Sequence, residues 1–173
     1  MSMEPTSVGV ERRFPVTELG PDAAGELVAL SSTAYPLTAG PDQKPTVGQV
    51  AAELADPDVM TLGVRDPVAG RPLVAAACVR VNPDDRRVAD VARLVVAPGR
   101  RRSGLGSLLL RAAEHRLPAQ VRELWLQINP ADEYSRRRYA QHGYRQASHD
   151  RTAGNHTALL VKPRRRGRPQ SAQ

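Results

Sequence analysis

The stretch Asp90–Leu110, DVARLVVAPGRRRSGLGSLLL, decides how this chain is read. Apolar, β-branched residues predict a strand over Val88–Val96, which Pro98 and Gly99 end. Arg100, Arg101 and Arg102 follow, and Ser103-Gly104-Leu105-Gly106 opens a predicted helix running to Leu117. There Leu105, Leu108, Leu109 and Ala112 recur at i, i+3, i+4 and i+7. Glycines at such a junction let backbone N–H groups approach a ligand with no Cβ in the way. A helix N-terminus adds unpaired donors and the positive end of its dipole, which favour phosphate. The three arginines are expected to supply mobile positive charge beside it. No Lys-Ser/Thr pair follows, as a Walker loop requires, and G-x-G-x-x-G is absent. Taken alone, the glycines fit a tight strand-to-helix connection equally well.

Outward from this segment the pattern mixes periods. Phe14–Leu19 reads as a short strand, and Asp22 is placed to cap a helix ending near Tyr35. Residues 36–45, PLTAGPDQKP, read as a long loop. Thr46 is placed to cap a second helix, with Val47, Val50, Ala51 and Leu54 on one face. Val59–Val64 and Leu73–Val81, separated by DPVAGRP, predict a hairpin. Downstream, Leu124–Ile128 predicts a strand, Asp132–His142 a helix stopped by Gly143, and Thr157–Val161 a last strand. The order β-α-α-β-β-β-α-β-α-β is α+β or mixed α/β.

Length and composition bound the alternatives. A chain of 173 residues supports one domain with a full core. We read residues 1–13 as a loose N-terminal arm, 14–162 as the domain, and 163–173 as a disordered basic tail. Apolar residues make up 40% and charged residues 25%, as in globular proteins, which argues against wholesale disorder. Aromatics at 3% disfavour RNA recognition by base stacking. No run approaches a membrane span and the N-terminus has no signal-like apolar core, so a cytoplasmic location is the expectation. Cys78, the single cysteine, sits among Ala75–Val79 and reads as a core thiol. His115, His142, His149 and His156 show no metal-ligand spacing, and no metal is expected. The net charge of +7 owes four arginines to residues 163–173. Without them the body carries about +3, ordinary for a soluble domain.

Two signatures in the expected order carry a family resemblance. Arg101-Arg102-Ser103-Gly104-Leu105-Gly106 resembles the Arg/Gln-x-x-Gly-x-Gly/Ala pyrophosphate loop of the GNAT superfamily of N-acetyltransferases, and Leu94–Pro98 resembles the strand end before it. Asp132-x-x-Ser135-x-x-x-Tyr139-x-x-x-Gly143-Tyr144 resembles that family's second signature, with Asp132 in place of the usual Asn, Arg138 of Leu, and Tyr144 of Phe. The resemblance covers roughly Phe14–Lys162 and is specific from Asp90 to Tyr144. It implies a GNAT fold, with a mostly antiparallel central sheet, a splayed central strand pair and flanking helices. It also implies acetyl-CoA as co-substrate and transfer of its acyl group to an amine.

By that resemblance the backbone of Leu94, Val95 and Val96 would pair with the pantetheine arm, as an added strand pairs with a sheet edge. Arg101, Arg102, Ser103, Gly104, Leu105, Gly106 and Ser107 would hold the pyrophosphate. Asp132 and Ser135 are further cofactor positions. An ionised Asp cannot donate a hydrogen bond, so Asn129 is the alternative donor. Tyr139 matches the family tyrosine that protonates the departing thiolate; a packing tyrosine at a helix end is its other reading. Asp90 stands where many relatives carry Glu and is the candidate base, against a solvated acid at a strand start. Backbone N–H of Val95 or Val96 is the oxyanion donor. Arg136, Arg137 and Arg138 read either as an addition to the phosphate field or as a solvated face.

The acceptor is an amine-bearing small molecule, peptide or protein, chosen by loops at Ser31–Pro45 and Ala147–His156. The rival reading is a binding module: an acyl-CoA sensor without turnover, or a DNA-associated protein using its tail. Arg166-Gly167-Arg168-Pro169 resembles an AT-hook core, the one route to nucleic acid here, against a merely solubilising terminus. No membrane partner is expected, and a monomer or homodimer is.

Overall fold

A computed structural model describes residues 14–34, 45–68, 70–150 and 157–164. The N-terminal arm, residues 35–44 of the Pro-rich loop, residues 151–156 and the Arg-Gly-Arg-Pro tail lie outside them. The described chain is mixed α/β, with β1 (Val16–Glu18), α1 (Ala24–Ala34), α2 (Val47–Leu54), β2 (Val59–Arg65), β3 (Leu73–Val81), β4 (Val88–Val96), α3 (Leu105–Arg116), β5 (Glu123–Ile128), α4 (Glu133–Gln141), β6 (Arg145–Asp150) and β7 (Thr157–Pro163). The strands form one seven-stranded sheet in the order β1-β2-β3-β4-β5-β7-β6. Antiparallel pairing joins β1 to β2, β2 to β3, β5 to β7 and β6 to β7, whereas β4 and β5 are parallel. No helix among the described residues is long and apolar enough to cross a membrane.

The chain groups into two compact units, Met1–Arg80 with Val91–Arg116, and Val81–Asp90 with Leu117–Gln173. In the first, β3 is buried along nearly its whole length, as its LVAAACV run requires. Leu27, Leu30 and Ala34 of α1 and Val50 of α2 share a core with Leu19, Leu73, Ala76 and Val95. Gly63 on β2 is there for close packing: a Cβ would meet both δ-methyls of Leu19 and one of Leu73 at 2.8 Å.

The Thr46 cap forms in full. Thr46 Oγ1 accepts from Gln49 N at 3.2 Å, and Gln49 Oε1 accepts from Thr46 N at 2.8 Å. Two local expectations need correction. Asp22 does not cap α1, because a 3-10 turn over Pro21–Ala23 leads into that helix from Gly20. Val47, expected on the packed face of α2, is 51% exposed, since Val50 alone of this helix is fully buried.

In the second unit β7 pairs with β5 over six positions, Glu123↔Pro163 to Ile128↔Ala158. Beside β7 lies β6, which falls partly where a loop was expected. Its first four residues, Arg145–Ser148, are exposed, and its sequence, RQASHD, carries no apolar alternation. Backbone pairing with β7 makes it a strand, with a bulge between Gln146 and Ser148.

Candidate functional site

The site residues fall in both units, and each part is built by its own unit. In the first, β4 ends where alternation puts Val95 into the α1–α2 core at 1% exposure, with Leu94 and Val96 half-buried on the other face. Burial of Val95 contributes about 1.5–3 kcal/mol and holds the strand end in place. Parallel pairing of β4 covers Val88–Asp90 opposite Glu123–Trp125, and the strand then runs on to Val96.

A 3-10 turn, Pro98–Arg100, follows β4, with Arg100 N donating to Ala97 O at 2.9 Å. Ser103 Oγ donates back to Arg100 O, and Leu108 N closes the first turn of α3 on Gly104 O at 2.9 Å. Two successive left-handed kinks turn the chain into the helix. Arg102 has φ +62 and Gly104 φ +80. A non-glycine residue held at positive φ costs about 1–3 kcal/mol and is over-represented at ligand clamps. At Gly104 the space is open, with no atom within 4 Å of where a Cβ would sit. What requires glycine here is the backbone angle, and the open space lets a ligand come up to the chain. Leu105, 1% exposed, plugs the helix start into the core, while Ser107 is half-buried.

The three arginines are not equivalent, which corrects the expectation of shared mobile charge. Arg100 forms an ion pair with Asp66, whose side chain is 9% exposed and whose Oδ1 also accepts from Val68 N at 3.1 Å. Arg101 Nη2 donates to Ala34 O at 3.0 Å, satisfying a carbonyl at the end of α1. Arg102 is exposed. Reading the sequence locally missed both Asp66, taken as turn chemistry, and Ala34, because each partner lies more than 30 residues from its arginine.

In the second unit Asp132 caps α4. Its Oδ1 accepts from Ser135 N at 3.0 Å and its Oδ2 from Ser135 Oγ at 2.6 Å. The two signature polar residues thus engage each other. Asn129, exposed, spends its Oδ1 on Ala131 N at 2.9 Å, which leaves its amide NH2 as the donor end. Nothing on α4 is fully buried, so caps and local pairs hold it, including Glu133–Arg137 at 2.6 Å. Arg137 is therefore part of a solvated face, and Arg138 Nη1 donates to Tyr134 Oη at 3.3 Å.

Tyr139 is fixed from both ends. Its carbonyl accepts from His142 N at 2.9 Å and Tyr144 N at 3.1 Å, while Gly143 N donates to Ala140 O at 3.0 Å and Gly143 sits at φ +88. This is a Schellman cap. The Tyr139 ring, half-buried, packs edge-on against buried Tyr144 with centroids 5.7 Å apart at 70°, and Lys162 Nζ lies 5.9 Å from the Tyr144 centroid. Asp90 is half-buried and stands opposite Trp125 in the β4–β5 register. Cys78 is the core thiol expected: it is 1% exposed, and burial pushes its pKa up to about 11. Its Sγ lies 3.3 Å from Glu53 Oε1. Protonated at neutral pH, it is no nucleophile.

With this geometry in hand, comparison with known proteins is informative. The profile of the Acetyltransferase (GNAT) family matches residues 26–144. No curated protein sequence matches the chain at a significant level. Among solved structures, the acetyltransferase of the GNAT family from Streptococcus pneumoniae is 20% identical, with a TM-score of 0.70 over 87% of this chain and 98% of that one. The ribosomal-protein-S18-alanine N-acetyltransferase from Escherichia coli is 17% identical, with a TM-score of 0.71 over 92% of this chain and 99% of that one. The PaiA N-acetyltransferase from Thermoplasma acidophilum, in complex with coenzyme A, is 16% identical, with a TM-score of 0.70 over 87% and 98%. At these identities the likeness establishes the fold.

Proposed function

Because the chain belongs to the GNAT family of acetyltransferases, we propose that it transfers the acetyl group of acetyl-CoA to an amine. One observation carries this reading: the left-handed Gly104, open at its Cβ position, at the mouth of α3 in the connection from β4. A backbone so shaped admits a pyrophosphate against the first N–H groups of the helix. The coenzyme A complex of the Thermoplasma acidophilum relative supports the same choice of donor.

Acetyl-CoA, when bound, supplies a thioester carbon open to attack by a neutral amine. Leu105 and Gly106 offer backbone donors from the first turn of α3, and Arg101, held by Ala34 O, and exposed Arg102 complete the pyrophosphate seat with Ser103 and Ser107. The main chain of Leu94–Val96 bonds the pantetheine amides, and the N–H of Val95 or Val96 steadies the carbonyl oxygen as it gains negative charge. Fixed by its Schellman cap, Tyr139 gives its hydroxyl proton to the departing thiolate. Asp90 takes the amine proton, directly or through water. Asn129, through its amide, is a cofactor donor on the α4 side; Asp132 and Ser135 shape that helix start.

The test is release of free CoA thiol from acetyl-CoA with small amines, a free peptide N-terminus and a lysine peptide as separate acceptors. Release that depends on one acceptor class confirms transfer and names the class. Saturable acetyl-CoA binding without release across all three would instead favour a cofactor sensor.

A further inference from the structure

The first unit contains a cleft of about 500 Å³ that the proposed chemistry does not use. Phe14, Val16, Leu108 and Ala112 give it apolar walls, and Arg111, His115 and Arg116 give it three basic side chains, with no acidic residue among the described residues that line it. Leu108, Arg111, Ala112, His115 and Arg116 recur at i, i+3, i+4, i+7 and i+8, so one stripe of α3 builds this wall while Leu105, Leu109 and Ala113 face the core. The other wall is β1, the edge strand, where Val16 O accepts from Arg116 Nη2 at 3.0 Å. That bond fixes the guanidinium at the cleft and takes one of its five N–H donors.

Basic residues in a last helical turn also offset the helix dipole, but that role needs no apolar recess beside them. A volume of several hundred cubic ångströms with apolar walls and a few convergent polar groups is the form of a small-molecule site. We propose that this cleft binds a small carboxylate with an aliphatic or aromatic body, the carboxylate at Arg111 and Arg116 and the body against Phe14, Leu108 and Ala112. Arg111 and Arg116, which take the carboxylate, lie about 10 Å and about 18 Å along the helix axis from Gly104 at 1.5 Å per residue, away from the cofactor cradle.

The experiment titrates octanoate, and 1-octanol in parallel, into the full chain saturated with CoA, following backbone amide shifts by NMR. Saturable shifts centred on Val16, Leu108, Ala112 and His115 are expected. Ala112→Phe should abolish them by filling the cleft. The double variant Arg111→Gln/Arg116→Gln, which keeps the walls, should weaken octanoate at least tenfold and leave octanol unchanged. Diffuse or non-saturable shifts, or octanoate affinity unchanged in the double variant, would overturn the proposal. So would octanoate shifts that arise only after deletion of residues 1–13, which assign the cleft to the chain's own arm. Shifts in the same residues that follow protein concentration without octanoate would assign it to a second copy.

Discussion

Replacing Gly104 separates the fold's need for this residue from the ligand's. With φ +80 and nothing within 4 Å of the Cβ position, Gly104→Ala creates no clash, so its cost to the free protein is the left-handed backbone term, about 1–2 kcal/mol. For a chain of this size that lowers Tm by roughly 2–8 °C. Gly104→Asp carries the same backbone term and adds a negative charge at the proposed pyrophosphate seat. One unit charge 4 Å from another is opposed by about 1 kcal/mol in water and about 4 kcal/mol near a protein surface. Acetyl-CoA affinity should accordingly fall by between about fivefold and about a thousandfold per charge pair. The assay is thermal unfolding with and without ligand. At 100 times Kd, acetyl-CoA should stabilise the wild type by about 2.7 kcal/mol. Gly104→Asp should lose most of that stabilisation while its unliganded Tm stays close to that of Gly104→Ala. If Gly104→Asp keeps the full ligand-induced shift, the pyrophosphate does not sit at this turn and the cradle argument is refuted.

Three further outcomes follow from other contacts. Tyr139→Phe keeps the ring that packs on Tyr144 and should lower the single-turnover rate by about 10²-fold, with acetyl-CoA affinity nearly unchanged; a wild-type rate would assign Tyr139 to packing. Gly63→Ala forces a Cβ to 2.8 Å from Leu19 and Leu73 methyls and should cost about 1–3 kcal/mol in urea unfolding, whereas a neutral result would mean that those leucines repack. The hydrogen bond from Arg65 holds the Glu26 carboxyl below its ordinary value of 4.5. A depressed folded-state pKa gives stability that is present above the unfolded value and lost as pH falls through the folded one. Both groups are partly exposed, so the amount is under about 1 kcal/mol. Glu26→Gln should therefore flatten a small part of the stability decline below about pH 4.5, and an unchanged acid limb would show the pair to be silent.

The local signals were read correctly where they are local. The Thr46 cap, the bounds of β4, the α3 leucines and the Asp132 and Gly143 ends of α4 each depend on residues within about four positions. Short-range hydrogen bonding and side-chain periodicity act over that distance, so the sequence displays them. Fold class was legible because the order of those local elements carries it.

Tertiary structure decided the rest, because those outcomes depend on partners distant in sequence. The polar segment Arg145–Asp150 has no apolar alternation in its sequence, and backbone pairing with β7 makes it a strand. Arg100 and Arg101, neighbours in one basic run, are drawn to Asp66 and to the Ala34 carbonyl by folding alone. The cleft between β1 and α3 joins Phe14 to residues nearly a hundred positions later. A sequence specifies which side chains need a partner; where the chain turns back specifies which partner each one finds.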